Sequence, residues 1–152
     1  MQTEAEITID RPAGEVFDYI ARAEYLPEYV SDFAWVKQLS DGSPGEGTEY
    51  GYEMKRGNVQ GTFEWTEFRE PSKLAWHGPP AKSGPGSMEP AGRWEISERG
   101  DGTRVKLVMA PIPGGLFKLL APLMSRGMKA GNAKALQLLK QRLERSERTE
   151  AG

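Results

Sequence analysis

The chain has 152 residues and a formal net charge of −2. It therefore fits one domain with one core and has no excess of basic charge to neutralise a phosphate backbone, so nucleic acid is not an expected partner. It has no cysteine and a single histidine, His77, which removes disulfides, thiolate chemistry, cysteine zinc sites and any two-histidine metal site. Hydrophobic residues at 38% and charged residues at 28% describe a globular chain with a modest core.

Met1 to Glu6 form neither a basic nor an apolar leader, and no run reaches the roughly 18 apolar residues of a membrane span. A cytoplasmic protein without stable membrane insertion is the expectation. Ala5, Ile7 and Ile9 alternate with Glu4, Glu6 and Thr8, the pattern of a half-buried strand. Pro12 is suited to open a short helix, with Glu15 in its first turn and Val16, Phe17 and Ile20 on one side. A second short helix or turn carries Tyr25, Leu26, Tyr29 and Val30 around Pro27.

A strand over residues 33–39 follows, its register open, and then a Gly/Pro/Ser turn over residues 41–47. Thr48, Tyr50, Tyr52 and Met54 share one face of the next strand, and Val59, Gly61, Phe63 and Trp65 one face of the strand after it. The alternation breaks at Glu67-Phe68, where a bulge is expected. Leu74 and Trp76 mark a fifth strand, and residues 78–92, rich in Gly, Pro and Ser, read as a long mobile loop. Trp94 and Ile96, the turn Gly100-Asp101-Gly102, and Val105, Leu107 and Met109 form a closing hairpin. Behind Pro111, Pro113 and Gly114-Gly115 comes a long helix. Leu116, Phe117, Leu119, Leu120, Leu123, Met124, Gly127, Met128 and Gly131 fall on its broad apolar face, and Lys118, Pro122, Ser125 and Lys129 lie opposite. Pro122 implies a kink or a restart; Leu138, Leu139 and Leu143 continue the apolar side. No repeat or second domain is visible: residues 1–147 read as one domain and 148–152 as a flexible tail.

The order strand, two short helices, six strands and a long helix predicts an α+β fold in which a seven-stranded, curved antiparallel sheet wraps the C-terminal helix. The motifs Ile7-x-Ile9-x-x-Pro12-x-x-x-Val16-Phe17-x-x-Ile20, Gly47-Thr48, Glu67-Phe68-x-x-Pro71-x-x-Leu74, Gly102-Thr103-Arg104-Val105 and Leu139-Lys140-x-x-Leu143-Glu144 give the chain its resemblance to a known family. It resembles the SRPBCC superfamily, the START-like helix-grip fold, and within it the polyketide cyclase/dehydrase and lipid transport branch. The resemblance covers about the whole chain. It implies a ligand cavity between sheet and helix, and a fold shared by lipid carriers, aromatase/cyclases, plant allergens and chaperone activators.

Tyr50, Tyr52, Met54, Phe63, Trp65, Trp76, Trp94, Leu107 and Met109 on the strands, with Leu120, Met124, Gly127, Met128 and Gly131 on the helix, are the candidate cavity lining. They combine large amphipathic rings with adaptable thioethers, and two helical glycines leave either space for a ligand or room for close packing. His77 alternates onto the outer face. Glu67 and Glu70 read as surface charges, and Gly42, Gly45 and Gly47 as a turn leading into a strand, not a phosphate cradle. No nucleophile–base pair is visible, and neither cofactor nor metal is implied. The sequence therefore points to binding or transport of a small hydrophobic molecule by a monomer or weak homodimer. A polyketide cyclase or dehydratase using Tyr50 or Tyr52 to polarise a carbonyl is the alternative, and a stress-related protein-interaction domain the third reading.

Overall fold

A computed structural model describes the backbone of residues 1–151 and the side chains of residues 1–145. The side chains of the tail expected over 148–152 lie outside the described residues. The elements run β1 (Thr3–Ile9), α1 (Ala13–Ala21), a 3-10 helix (Ala23–Glu28), β2 (Phe33–Gln38), β3 (Glu49–Met54), β4 (Gln60–Arg69), β5 (Lys73–His77), β6 (Ala81–Ser83), β7 (Gly86–Glu89), β8 (Ala91–Arg99), β9 (Gly102–Met109), β10 (Ile112–Gly115) and α2 (Phe117–Ala151).

The seven expected strands form one antiparallel sheet in the order β1-β9-β8-β5-β4-β3-β2, the helix-grip arrangement. β2, whose register the sequence leaves open, pairs Val36 with Tyr52 and Gln38 with Tyr50. The expected bulge falls between Trp65 and Glu67. Arg99 pairs with Gly102 across Gly100-Asp101, with Gly100 at φ +61, as a two-residue turn with glycine first requires.

Residues 78–92 are not the mobile loop that their composition suggests. Ala81 pairs with Met88 and Ser83 with Gly86, closed by Gly84 at φ +58 and Pro85, and β10 adds to β7 as a third strand. Glycine and proline here serve a tight hairpin rather than a disordered run. The strand that stabilises it comes from the stretch that reads only as a lead-in to the long helix. Phe117, the first residue of α2, lies over Gly86, where a Cβ would collide with its ring. This contact fixes the start of α2 to the small sheet.

α2 runs continuously from Phe117 through Pro122, so Pro122 does not restart it. Its second half is the gripping half. Asn132 Nδ2 donates to Thr3 Oγ1 at 2.9 Å, Lys140 Nζ to the Thr8 carbonyl at 2.9 Å, and the Asp10 amide to Glu144 Oε2 at 3.0 Å. Ala135, Leu136, Leu139 and Leu143 are buried, and the three leucines enter the core with Ile9, Phe17, Leu74 and Val105. Ahead of Asn132 the helix has passed the end of β1; α2 also touches β10 and β7, with Phe117 lying over Gly86. Leu116, Leu119, Leu120 and Leu123 are exposed there. The broad apolar face is therefore divided: Phe117, Met124 and Met128 lie half-buried on one side, and the leucines face outward.

This division sets two expected outcomes. Leu136 is 1% exposed and Leu123 is 69% exposed. Leu136→Ala is expected to lower the urea-unfolding free energy by about 2–5 kcal/mol, and Leu123→Ala to change it by no more than about 0.5 kcal/mol. Gly127 has nothing within 4 Å of a Cβ built on it. Gly127→Ala is thus expected to raise stability by about 1 kcal/mol, through helix propensity alone.

Candidate functional site

The alternating strands bring the predicted aromatic residues into one interior. Tyr50, Tyr52, Phe63, Trp65, Trp94 and Leu107 are buried, with Met54, Trp76 and Met109 half-buried against them. Tyr50 stacks on Phe63 with centroids 5.3 Å apart, and Trp65 meets Trp76 edge-on at 6.4 Å. Tyr52 lies over its cross-strand partner Gly61, and Trp76 over its partner Gly92; a Cβ on either glycine would strike the ring. Ring-on-glycine pairing seats large side chains in a curved sheet without overpacking it.

The polar atoms of these rings have definite partners. α1 ends at Ala21, and its carbonyl is one of the acceptors a helix C-terminus leaves unsatisfied. Tyr50 Oη and Trp65 Nε1 both donate to it, each at 3.1 Å. The Tyr52 hydroxyl makes no hydrogen bond among the described residues. Desolvation raises the pKa of both Tyr50 and Tyr52, so both phenols stay protonated further into the alkaline range than an exposed tyrosine does.

Tyr29 is the residue that sequence reasoning passed over as a site. It follows the 3-10 helix, is 1% exposed, and meets Trp94 edge-on at 6.4 Å. Its hydroxyl is buried without a hydrogen-bond partner, and burial, more than the neighbouring Tyr19 and Glu28, pushes its pKa well above the ordinary range. The cluster Tyr25, Leu26, Tyr29 and Val30 on a short helix or turn was the available signal; what it omitted was that Tyr29 reaches the aromatic interior.

The helix candidates occupy a different place. Met124 and Met128 are half-buried, while Leu120, Gly127 and Gly131 are exposed, and none of these five belongs to the core. Thr3, bonded to Asn132 where α2 leaves the sheet, pairs with Met109; Met109 pairs with Gly92, and Gly92 with Trp76. This row is the rim of the interior at the point where the helix departs. Two surface clefts of about 470 and 440 Å³ lie elsewhere, lined by residues such as Arg22, Gln38 and Ser43 in one and Lys73, Glu95 and Arg104 in the other. No candidate lining residue borders either cleft.

His77 is on the outside, as its alternation suggests, with Nε2 2.5 Å from Glu89 Oε1 across the main and small sheets. Glu67 is ion-paired with Arg69 at 3.0 Å and Lys73 at 3.3 Å.

The sequence matches the family described as polyketide cyclase / dehydrase and lipid transport over residues 1–144. Among curated proteins none matches. Among solved structures the chain is similar to a protein from Thermus thermophilus, at TM-score 0.78 and 19% identity, covering 96% of this chain and 99% of that one. It is similar to a START superfamily protein from Mycobacterium smegmatis, at TM-score 0.73 and 12% identity over 95% and 97% of the two chains. It also resembles the di-domain ARO/CYC protein BexL, at TM-score 0.69 and 19% identity, covering 95% of this chain and 46% of that one.

The raised Tyr29 pKa has a pH consequence. Below about pH 10 the phenol is protonated in both folded and unfolded chains. Above it, only the unfolded chain releases the proton, so stability falls as pH rises. Equilibrium unfolding measured between pH 8 and 11 is expected to show this loss, and Tyr29→Phe to reduce its slope by about 1.4 kcal/mol per pH unit.

Proposed function

This chain belongs to the polyketide cyclase / dehydrase and lipid transport family, and we propose that within it the protein is a non-catalytic binder or carrier of a small hydrophobic molecule such as a lipid, polyketide or isoprenoid-like compound. The observation that carries this reading is the Tyr29 hydroxyl, a buried donor with no acceptor in an aromatic interior. Such a group costs about 1–3 kcal/mol when left unsatisfied. A mostly apolar ligand with one carbonyl or hydroxyl oxygen, lying along Trp94, supplies the acceptor. Pockets of this kind pair apolar walls with a few placed polar groups.

The row Met109–Gly92–Trp76 is the proposed entrance. Trp76 and Met109 are half-buried there, and Met124 and Met128 on α2 are half-buried as well; thioethers adapt to an irregular guest. The cyclase alternative needs a phenol free to polarise a substrate carbonyl. Of the two phenols named for that role, Tyr50 already donates to Ala21, which leaves Tyr52.

An apolar probe is expected to bind and quench tryptophan emission, because Trp65, Trp76 and Trp94 line the interior. Tyr29→Phe is expected to raise the stability of the empty protein by about 1 kcal/mol. The same change should weaken a carbonyl-bearing probe roughly fivefold, while leaving a hydrocarbon probe unaffected. Mass spectrometry of the native protein and its organic extract identifies a carried ligand. Failure of several chemically different probes at micromolar protein would reject the reading, and recovery of a converted ligand would select the cyclase.

A further inference from the structure

We propose that the free half of α2 is a docking surface for an anionic lipid membrane. Leu119 is 79% exposed and Leu123 69%, and Ile112, Leu116 and Leu120 are exposed beside them. At 3.6 residues per turn Leu119, Leu120 and Leu123 share one side of α2, Leu116 immediately precedes the helix, and Ile112 lies on β10. A contiguous apolar patch at the end of a soluble domain marks a surface that something else covers.

Charge identifies the occupant. The protein is net negative, yet no acidic residue occurs between Asp101 and Glu144. Within that stretch Arg104, Lys106, Lys140 and Arg142 are paired with Glu6, Glu4, Glu144 and Glu28. Lys118, Arg126, Lys129 and Lys134, all exposed on the same helix as the leucines, have no carboxylate partner among the described residues. Exposed leucines on one side, with unpaired Lys118 and Lys129 turned away from them and Arg126 between, are the composition of a helix lying in a lipid interface. Its apolar side enters by about 5–10 Å, and its cations meet lipid phosphates and carboxylates. A second copy of the chain fits less well, because a two-fold contact through this patch sets the same cations against each other. No described helix is long and apolar enough to cross a membrane, so the contact is peripheral.

The docking surface is separate from the interior, and its test does not depend on a bound ligand. The full chain is mixed with vesicles of phosphatidylcholine alone and of phosphatidylcholine with phosphatidylserine, and co-flotation is measured at two salt concentrations. Binding is expected to the anionic vesicles, weaker at high salt. Leu119→Glu with Leu123→Glu should reduce it more than tenfold, and each of Lys118→Gln, Arg126→Gln and Lys129→Gln about fivefold. These residues are exposed, so thermal unfolding of the variants should match the parent, and variants that fail this check are replaced by Leu119→Ser with Leu123→Ser. Equal binding to neutral vesicles, absence of binding to both, or binding unchanged in the leucine variants would overturn the proposal. So would a dimer in sedimentation that the leucine substitutions dissociate.

Discussion

The bonds that hold α2 along β1 determine the rest of the molecule. Three attachments, at Thr3, Thr8 and Asp10, meet Asn132, Lys140 and Glu144. From Asn132 to Glu144 a helix rises ~18 Å, and from Thr3 to Asp10 a strand advances ~23 Å, so the two run side by side in the same direction. β1 is an edge strand, and Lys140 and Glu144 occupy a carbonyl and an amide that would otherwise invite another strand. Because the register is fixed at Asn132, the helical residues before it project beyond the end of β1. One anchoring pattern thus determines both the buried leucines and the exposed ones.

The interior is organised around its polar atoms in a different way. A single carbonyl, that of Ala21, receives both the Tyr50 phenol and the Trp65 indole, tying α1 to β3 and β4 through groups that are otherwise difficult to bury. Tyr29 has no such acceptor. Two phenols of one core therefore differ: Tyr50 is tied to a backbone carbonyl, and Tyr29 has no hydrogen-bond partner among the described residues. Desolvation alone does not distinguish them, since it raises the pKa of each; the hydrogen-bond partner does.

Where burial follows period two, the sequence was readable residue by residue. Tyr50, Tyr52, Phe63, Trp65, Trp94 and Leu107 point inward as their alternation requires. Alternation fails as a guide where strands are short and their partner is remote. Ala81–Ser83 and Gly86–Glu89 are strands because Ile112–Gly115 pairs beside them, a fact absent from any local window. The long helix was legible as a helix but not as two halves, because its apolar periodicity is the same whether a sheet or solvent lies opposite. Gly127 and Gly131 illustrate this: spacing places them with the apolar residues, while the structure leaves them facing open space. Tyr29 was hidden for the converse reason, since the orientation of a residue just past a short 3-10 turn is set by tertiary contacts and not by its period.

The clamp between β1 and α2 also dictates when the fold can be completed. Its bonds join residues 129, 132 and 134 positions apart, and β1 itself pairs with β9 rather than with a sequence neighbour. During synthesis the first strand therefore emerges long before either of its flanking partners exists. Hairpins such as β8–β9 form from local contacts, but closing so large a loop is entropically slow. The nascent chain consequently carries an unguarded strand edge until α2 has emerged. Truncation within that helix would yield a chain arrested in that state, prone to self-association through the edge.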